Sequence, residues 1–202
     1  MPLLEGEMKL VVGISGATGA IYAIRLLEVL RNVPDAESHL VISDAAKRTI
    51  EHETDWTVAE VEALATDVHD NANIGASIAS GSFHIDGMVI APCSIKTMSA
   101  LANSYNTNLM TRAGDVTLKE RRPLVLVVRE TPLHYGHLKH MMDLALMGAI
   151  LLPPVPAYYH KPKTMDDIIN HTVGKILDCF RIEHHLFMRW RGMPSQTGVE
   201  VG

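Results

Sequence analysis

Cysteine is scarce in this chain: Cys93 and Cys179 are the two in 202 residues, far apart and without CxxC spacing. That excludes a disulfide framework and suits a reducing, cytoplasmic compartment. Positive charge is also in short supply. Eighteen Lys and Arg against 23 Asp and Glu leave a formal net charge of -5, which speaks against a general nucleic-acid binder, because such proteins need a positive field to displace phosphate counterions. No apolar run approaches the length of a membrane span. The first ten residues carry Glu5 and Glu7 and no basic cluster ahead of an apolar stretch, so a secretion signal is not expected. Fourteen glycines and ten prolines are too few for a low-complexity chain.

What is present is an ordinary globular composition, 47% hydrophobic and 20% charged. The length fits one α/β domain spanning residues 1–202, with a core over about 8–180 and a tail at 181–202 that has no clear period. Leu10-Val-Val12 reads as a strand that ends at glycine and is followed by a helix from about Ala20 to Arg31. Further strands are expected at His39–Ile42, Met88–Ala91, Pro123–Val128 and Ala149–Leu152, and helices at Ala45–Glu53, Thr57–Ala65 and Thr164–Phe180. Thr164 is the expected N-cap of the last of these. Apolar strands without polar alternation belong to a sheet covered on both faces, and their alternation with helices implies parallel order. The expected architecture is a single doubly wound, mostly parallel sheet that binds ligands at the carboxyl ends of its strands.

Two segments suit an anion at that edge. Gly13-Ile-Ser-Gly-Ala-Thr-Gly19 links the first strand to the first helix, and Pro92-Cys-Ser-Ile-Lys-Thr97 follows the third expected strand. Both offer fresh helix N–H groups, and the second adds hydroxyls and an ammonium. Together they suggest a mononucleotide lying across the edge. The glycine spacing is not the dinucleotide fingerprint, and Ser43 stands where a ribose-binding carboxylate would be wanted, so NAD is disfavoured. Glycines can also serve only a tight turn, Ser43 and Ser94 can be plain helix caps, and Cys93 at a strand end fits packing better than nucleophilic chemistry.

Arg112, Asp115 and Lys119 fall at i, i+3 and i+7 of an expected helix and form either a solvated ladder or a cationic clamp for a second phosphate. Arg129-Glu130 closes a strand at the ligand edge, as a structural pair or as site residues. His134, His137 and His140 advance about 300° per step and are not expected to converge on one metal. Asp166-Asp167 reads as a helix start, not as a magnesium motif.

The glycine segment, Ala91–Thr97, the run from Arg112 to Pro132 and Pro153-Pro-Val-Pro-Ala-Tyr-Tyr159 together resemble the UbiX/Pad family of flavin prenyltransferases, in order and over about Met8 to Trp190. The resemblance implies a Rossmann-like flavoprotein fold, a homo-oligomer that is dodecameric in the family, and transfer of a dimethylallyl group from dimethylallyl phosphate to N5 and C6 of reduced FMN. The product would serve a UbiD-type decarboxylase. Carried over by position, Gly16, Ala17, Thr18, Ser43, Ser94, Ile95, Lys96, Thr97 and Arg129 would contact FMN. Arg112, Lys119, Tyr159 and Lys175 would hold the prenyl phosphate, Glu53 and Glu130 would line the reaction site, and Trp190 could shield the allylic cation. Thr18 replaces the usual serine. Lys175 replaces the usual arginine and loses bidentate phosphate geometry. The neighbouring possibilities are an FMN-dependent cysteine decarboxylase and an FMN-binding accessory subunit of an aromatic-acid decarboxylase.

Overall fold

The computed structural model describes residues 8–190 and Gly192. Glu5, Glu7 and the end of the expected tail lie outside the described residues. Six strands form one sheet in the order β3-β2-β1-β4-β5-β6, and every pair is parallel. The strands are β1 Met8–Ile14, β2 Ala36–Ile42, β3 Asp67–Asp70, β4 Gly87–Cys93, β5 Leu124–Val128 and β6 Ile150–Leu151. Between and after them run α1 Ile21–Leu30, α2 Asp44–Glu53, α3 Val58–Glu62, α4 Ile95–Ala102, α5 Leu109–Lys119, α6 Tyr135–Leu146 and α7 Met165–Cys179.

Successive strand residues point to opposite faces, so an all-apolar strand requires a core on each side. Leu10, Val12, Ile14, Leu40, Val89 and Val125 pack with α1, α2 and α7 residues such as Leu27, Ile50 and Val173. Val11, Val41, Met88, Ile90 and Leu126 pack on the other face with Met98, Met110 and Leu144 from α4, α5 and α6. The helices start where their caps allow. Ser43, Ser94 and Asn108 accept from backbone N–H groups of Ala46, Thr97 and Thr111. Thr57 and Thr164 close capping boxes with Glu60 and Asp167.

Several elements differ from the sequence expectation: α3 stops at Glu62 and not at Ala65, and β4 runs from Gly87 to Cys93. β3, with the sequence Asp-Val-His-Asp, is an edge strand paired only to β2 and carries no apolar run to announce it. β2 begins three residues before His39, because parallel pairing with β1 extends down to Ala36. β6 shrinks to two residues: beyond Leu151, only the Leu152 N–H still reaches the sheet, donating to Leu126 O.

From β1 the chain builds outward to β3, then returns to lay β4, β5 and β6 on the other side of β1. Neighbouring crossovers therefore diverge between β1 and β4, and a crevice opens at their carboxyl ends. Buried Ser15 fastens the two strand ends there. Its Oγ donates to Pro92 O and accepts from the Ser94 N–H, both at 2.7 Å. Ser15→Ala leaves the Ser94 N–H without its partner, while Pro92 O keeps the Ser15 N–H at 3.3 Å, and should cost about 1–3 kcal/mol in denaturant unfolding; a loss under about 0.5 kcal/mol would show the bridge to be dispensable.

Candidate active site

The crevice between β1 and β4 holds a cavity of 590 Å³, within the range of small-molecule sites. One wall is the loop after β1. Gly16 lies so close to the start of α2 that a Cβ there would sit 2.4 Å from the Ala45 Cβ. Gly19 has φ +99°, a conformation glycine adopts without strain. Its N–H donates to Glu53 Oε2 at 2.9 Å, so a carboxylate at the end of α2 pins the glycine loop. Opposite stands the first turn of α4, where the Ser94 hydroxyl accepts from the Thr97 N–H and donates to Thr97 Oγ1 at 3.1 Å.

All nine residues expected to contact FMN line this one cavity: Gly16, Ala17 and Thr18 from the loop, Ser43 at the head of α2, Ser94 to Thr97, and Arg129 after β5. Glu130 borders it too, its Oε1 accepting from the Thr131 N–H. Asp44, Ala45, Arg48, Asn71, Asn108 and Met110 also line it and are not among the residues expected from the sequence. Arg48 was legible in principle, lying about one turn beyond Ser43 on a helix that starts at the ligand edge. Asn71 follows the unannounced β3, and Asn108 caps α5.

The cavity carries three cations, Arg48, Lys96 and Arg129, against two carboxylates, Asp44 and Glu130, a balance that favours an anion. Among the described residues Arg48, Lys96 and Arg129 form no ion pair with a carboxylate, although all three face the cavity. Arg129 also acts on Tyr22 in the first turn of α1: burial pushes the Tyr22 phenol up, and the Arg129 charge opposes it. Cys93 plays no such part. It is fully buried, and burial pushes its thiol up to about 12, which fits the packing reading and not a nucleophile.

The remaining expected residues lie outside this cavity. Arg112 donates to Asp115 Oδ2 at 3.3 Å and to Ala79 O at 3.2 Å. Lys119 borders a second cavity with Asp115, yet its ammonium pairs with Glu120. The expected stripe thus forms only its first rung, because an adjacent carboxylate takes the lysine. Tyr159 and Trp190 both line another cavity, of 760 Å³, with ring centroids 5.7 Å apart. Lys175, on α7, donates to Asp178 Oδ2 at 3.2 Å.

His134 and His137 come together with ring centroids 3.6 Å apart, while the expectation concerned all three histidines on one ion. His134 precedes α6 as its cap, accepting from the Gly136 N–H, so the angular step of a helix does not apply to it. His140 faces Ser99 Oγ at 3.3 Å. Among the described residues no group of three or more His, Cys, Asp or Glu could hold a metal ion.

Asp178 is the charged hub of the α7 side. Arg189 donates to both its oxygens, at 2.8 and 3.2 Å, and His184 Nε2 lies 3.3 Å away. Burial pushes the Asp178 carboxyl up, but the hydrogen bonds and charges of Arg189 and Lys175 outweigh it and hold it down to about 2, from an ordinary 3.8. With the folded value depressed, the contribution of this hub is present above pH 3.8 and is lost as pH falls toward 2. The hydrogen-exchange protection factors of residues 182–190, corrected for the intrinsic pH dependence of exchange, should therefore fall over that interval, and Asp178→Asn should show the reduced protection already at pH 7. Unchanged exchange in the variant would remove the hub from the anchoring of this segment.

Comparison with known proteins agrees with the geometry. The family model described as Flavoprotein matches residues 3–177. The flavin prenyltransferase UbiX of Thauera aromatica is 61% identical over 185 residues, 92% of this chain and 95% of that protein. The crystal structure of AnUbiX (PadA1) in complex with FMN and dimethylallyl pyrophosphate superposes with a TM-score of 0.91 at 44% identity, covering 93% of this chain and all of that one. A dodecameric FMN-dependent UbiX-like decarboxylase from Escherichia coli O157:H7 gives a TM-score of 0.90 at 49% identity, covering 92% of this chain and 100% of that one. On a sheet that reverses at β1/β4, a cavity with the expected lining and identities of this size, the chain belongs to the flavoprotein family and, within it, to the UbiX flavin prenyltransferases.

Proposed function

We propose that this chain is an enzyme that moves a dimethylallyl group from dimethylallyl phosphate to N5 and C6 of reduced FMN, making prenylated FMN for a UbiD-type decarboxylase in the cytoplasm. The observation that carries the reading is the cavity at the β1/β4 crevice. It combines a glycine loop held by Glu53, two capped helix N-termini and three cations without carboxylate partners among the described residues, a set suited to a ligand with one phosphate and a flat polar ring system.

Gly16, Ala17, Thr18, Ser43, Ser94 to Thr97 and Arg129 would hold FMN. Reduced FMN, when bound, supplies the nucleophilic N5 and the C6 at which the new ring closes. Breaking the allylic C–O bond leaves charge on the departing phosphate oxygen. Fixed cations at that oxygen lower the barrier without a divalent metal, and Arg112, Lys119 and Lys175 are the candidates. Glu130, exposed beside Arg129, or the departing phosphate itself would accept the C6 proton. Glu53, occupied by the Gly19 N–H, keeps the loop in place.

Within one chain none of the candidates for holding the phosphate lines the cavity, and another copy of the chain would bring them to it. Two observations support such an assembly. The similar E. coli protein is dodecameric, and α6 exposes Tyr135, Leu138, Met142 and Leu146, spaced as one apolar helix face. No helix among the described residues is long and apolar enough to cross a membrane.

Anaerobic incubation with reduced FMN and dimethylallyl phosphate, or the pyrophosphate, should increase the mass of the recovered flavin by one isoprene unit, and exhaustive chelation should not prevent it. An unmodified flavin would leave the chain an FMN carrier, and rescue of a chelated sample by magnesium would overturn the metal-free route. Lys119→Met should slow single-turnover transfer in FMN-loaded protein by about 30- to 1000-fold while FMN affinity holds. A wild-type rate would return Lys119 to the surface pair with Glu120.

A further inference from the structure

The prenyl-phosphate residues Tyr159 and Lys175 lie on different cavities, and one side chain joins them. His171 lies one helical turn before Lys175 on α7 and borders the same 490 Å³ cavity. Its Nε2 is 3.0 Å from the Tyr159 hydroxyl. The imidazole is held between two rings. His160 lies parallel to it at a centroid distance of 5.0 Å and an interplanar angle of 5°, and Phe187 meets it at 4.7 Å. His160 in turn contacts the Tyr159 ring edge-on at 5.3 Å.

A phosphate oxygen offers only lone pairs, so Tyr159 can bind one only by donating its own O–H. That hydrogen is free for the phosphate only if the 3.0 Å contact runs the other way, with His171 Nε2–H donating to the phenol oxygen. If instead Nε2 is the acceptor, the tyrosine proton is spent on the histidine and its lone pairs face the incoming anion. The direction of one hydrogen bond therefore decides whether Tyr159 attracts or repels the donor.

We propose that His171 is a positioning residue for the prenyl phosphate, carrying its proton on Nε2 and turning the Tyr159 hydroxyl hydrogen toward the phosphate while Lys175, one turn along, supplies charge. This rests on the reading that Tyr159 and Lys175 hold that phosphate. The titratable groups facing His171 are Tyr159 and His160 from the preceding loop and Lys175 and Asp178 from α7 itself. Burial pushes the His171 imidazole down, the His160 and Lys175 charges add to this, and Asp178 opposes it. A neutral ring carries one proton, and the rings of His160 and Phe187 keep its plane fixed while that proton chooses its nitrogen. The sequence alone could not single out His171, since it is a half-buried position on a helix whose buried positions are apolar or threonine.

The test is equilibrium binding of dimethylallyl monophosphate to oxidised FMN-loaded protein by titration calorimetry, so that no turnover contributes. His171→Phe should raise the dissociation constant about 5- to 15-fold with FMN affinity unchanged, and His171→Gln, which keeps an N–H donor, should recover it to within about threefold. In a Tyr159→Phe background the His171→Phe change should have less than about a twofold effect. His171→Leu replaces the phenylalanine variant if that one fails to retain FMN. Wild-type affinity in the variant that folds, or an equal loss with and without the Tyr159 hydroxyl, would overturn the proposal. No binding by the unsubstituted holoprotein would instead sink the functional reading, and this inference with it.

Discussion

A parallel sheet cannot leave a face in water when its strands are apolar at every position, and that constraint governs the molecule. Val11 and Val12 need cores on opposite sides, so the crossovers must supply helices to both faces, and the chain must at some point reverse the direction in which strands are added. The reversal falls between β1 and β4. Diverging crossovers leave a gap there that no side chain fills, and the N-terminal turns of α2 and α4 border it. Backbone geometry thus prepares an anion site before any specific side chain is considered.

Charge pairing divides the cationic side chains into two kinds. Those at the cavity, Arg48, Lys96 and Arg129, have no carboxylate partner among the described residues. Those outside it are already engaged: Arg112 with Asp115, Lys119 with Glu120, Lys175 and Arg189 with Asp178. A phosphate that recruits the second kind competes with a carboxylate. Exposed pairs of this sort are worth about 1 kcal/mol or less, so exchange of a carboxylate for a phosphate is energetically accessible. Asp178 is the exception, because several donors converge on it and hold its charge.

The rotational state of one aromatic cluster matters in the same way. Tyr159, His160, His171, Phe187 and Trp190 come from the loop before α7, from α7 and from the segment after it. The Asp178 hub ties the last of these back to the helix. Order in the segment after α7 is therefore coupled to the geometry of Tyr159, since Arg189 and Trp190 are adjacent residues, one anchored to Asp178 and the other against the tyrosine ring.

Apolar continuity and cap chemistry are local properties, and they made β1, β4, β5, the glycine loop and the heads of α2, α4 and α7 legible in the linear sequence. The nine residues expected to contact FMN share one cavity, because each sits at the end of a strand or the start of a helix, where chain direction alone aims it at one edge. β3 was not legible: a short polar strand at a sheet edge exists only because β2 offers it a partner. Arg48, Asn71 and Asn108 joined the cavity from three separate segments. Residue order determined that an anion-binding crevice would form and which backbone groups would face it. Only the tertiary structure decided which cations stay unpaired there, which are taken by neighbouring carboxylates, and which ring meets the Tyr159 hydroxyl, because those outcomes depend on side chains far apart in sequence competing for the same hydrogen bonds in space.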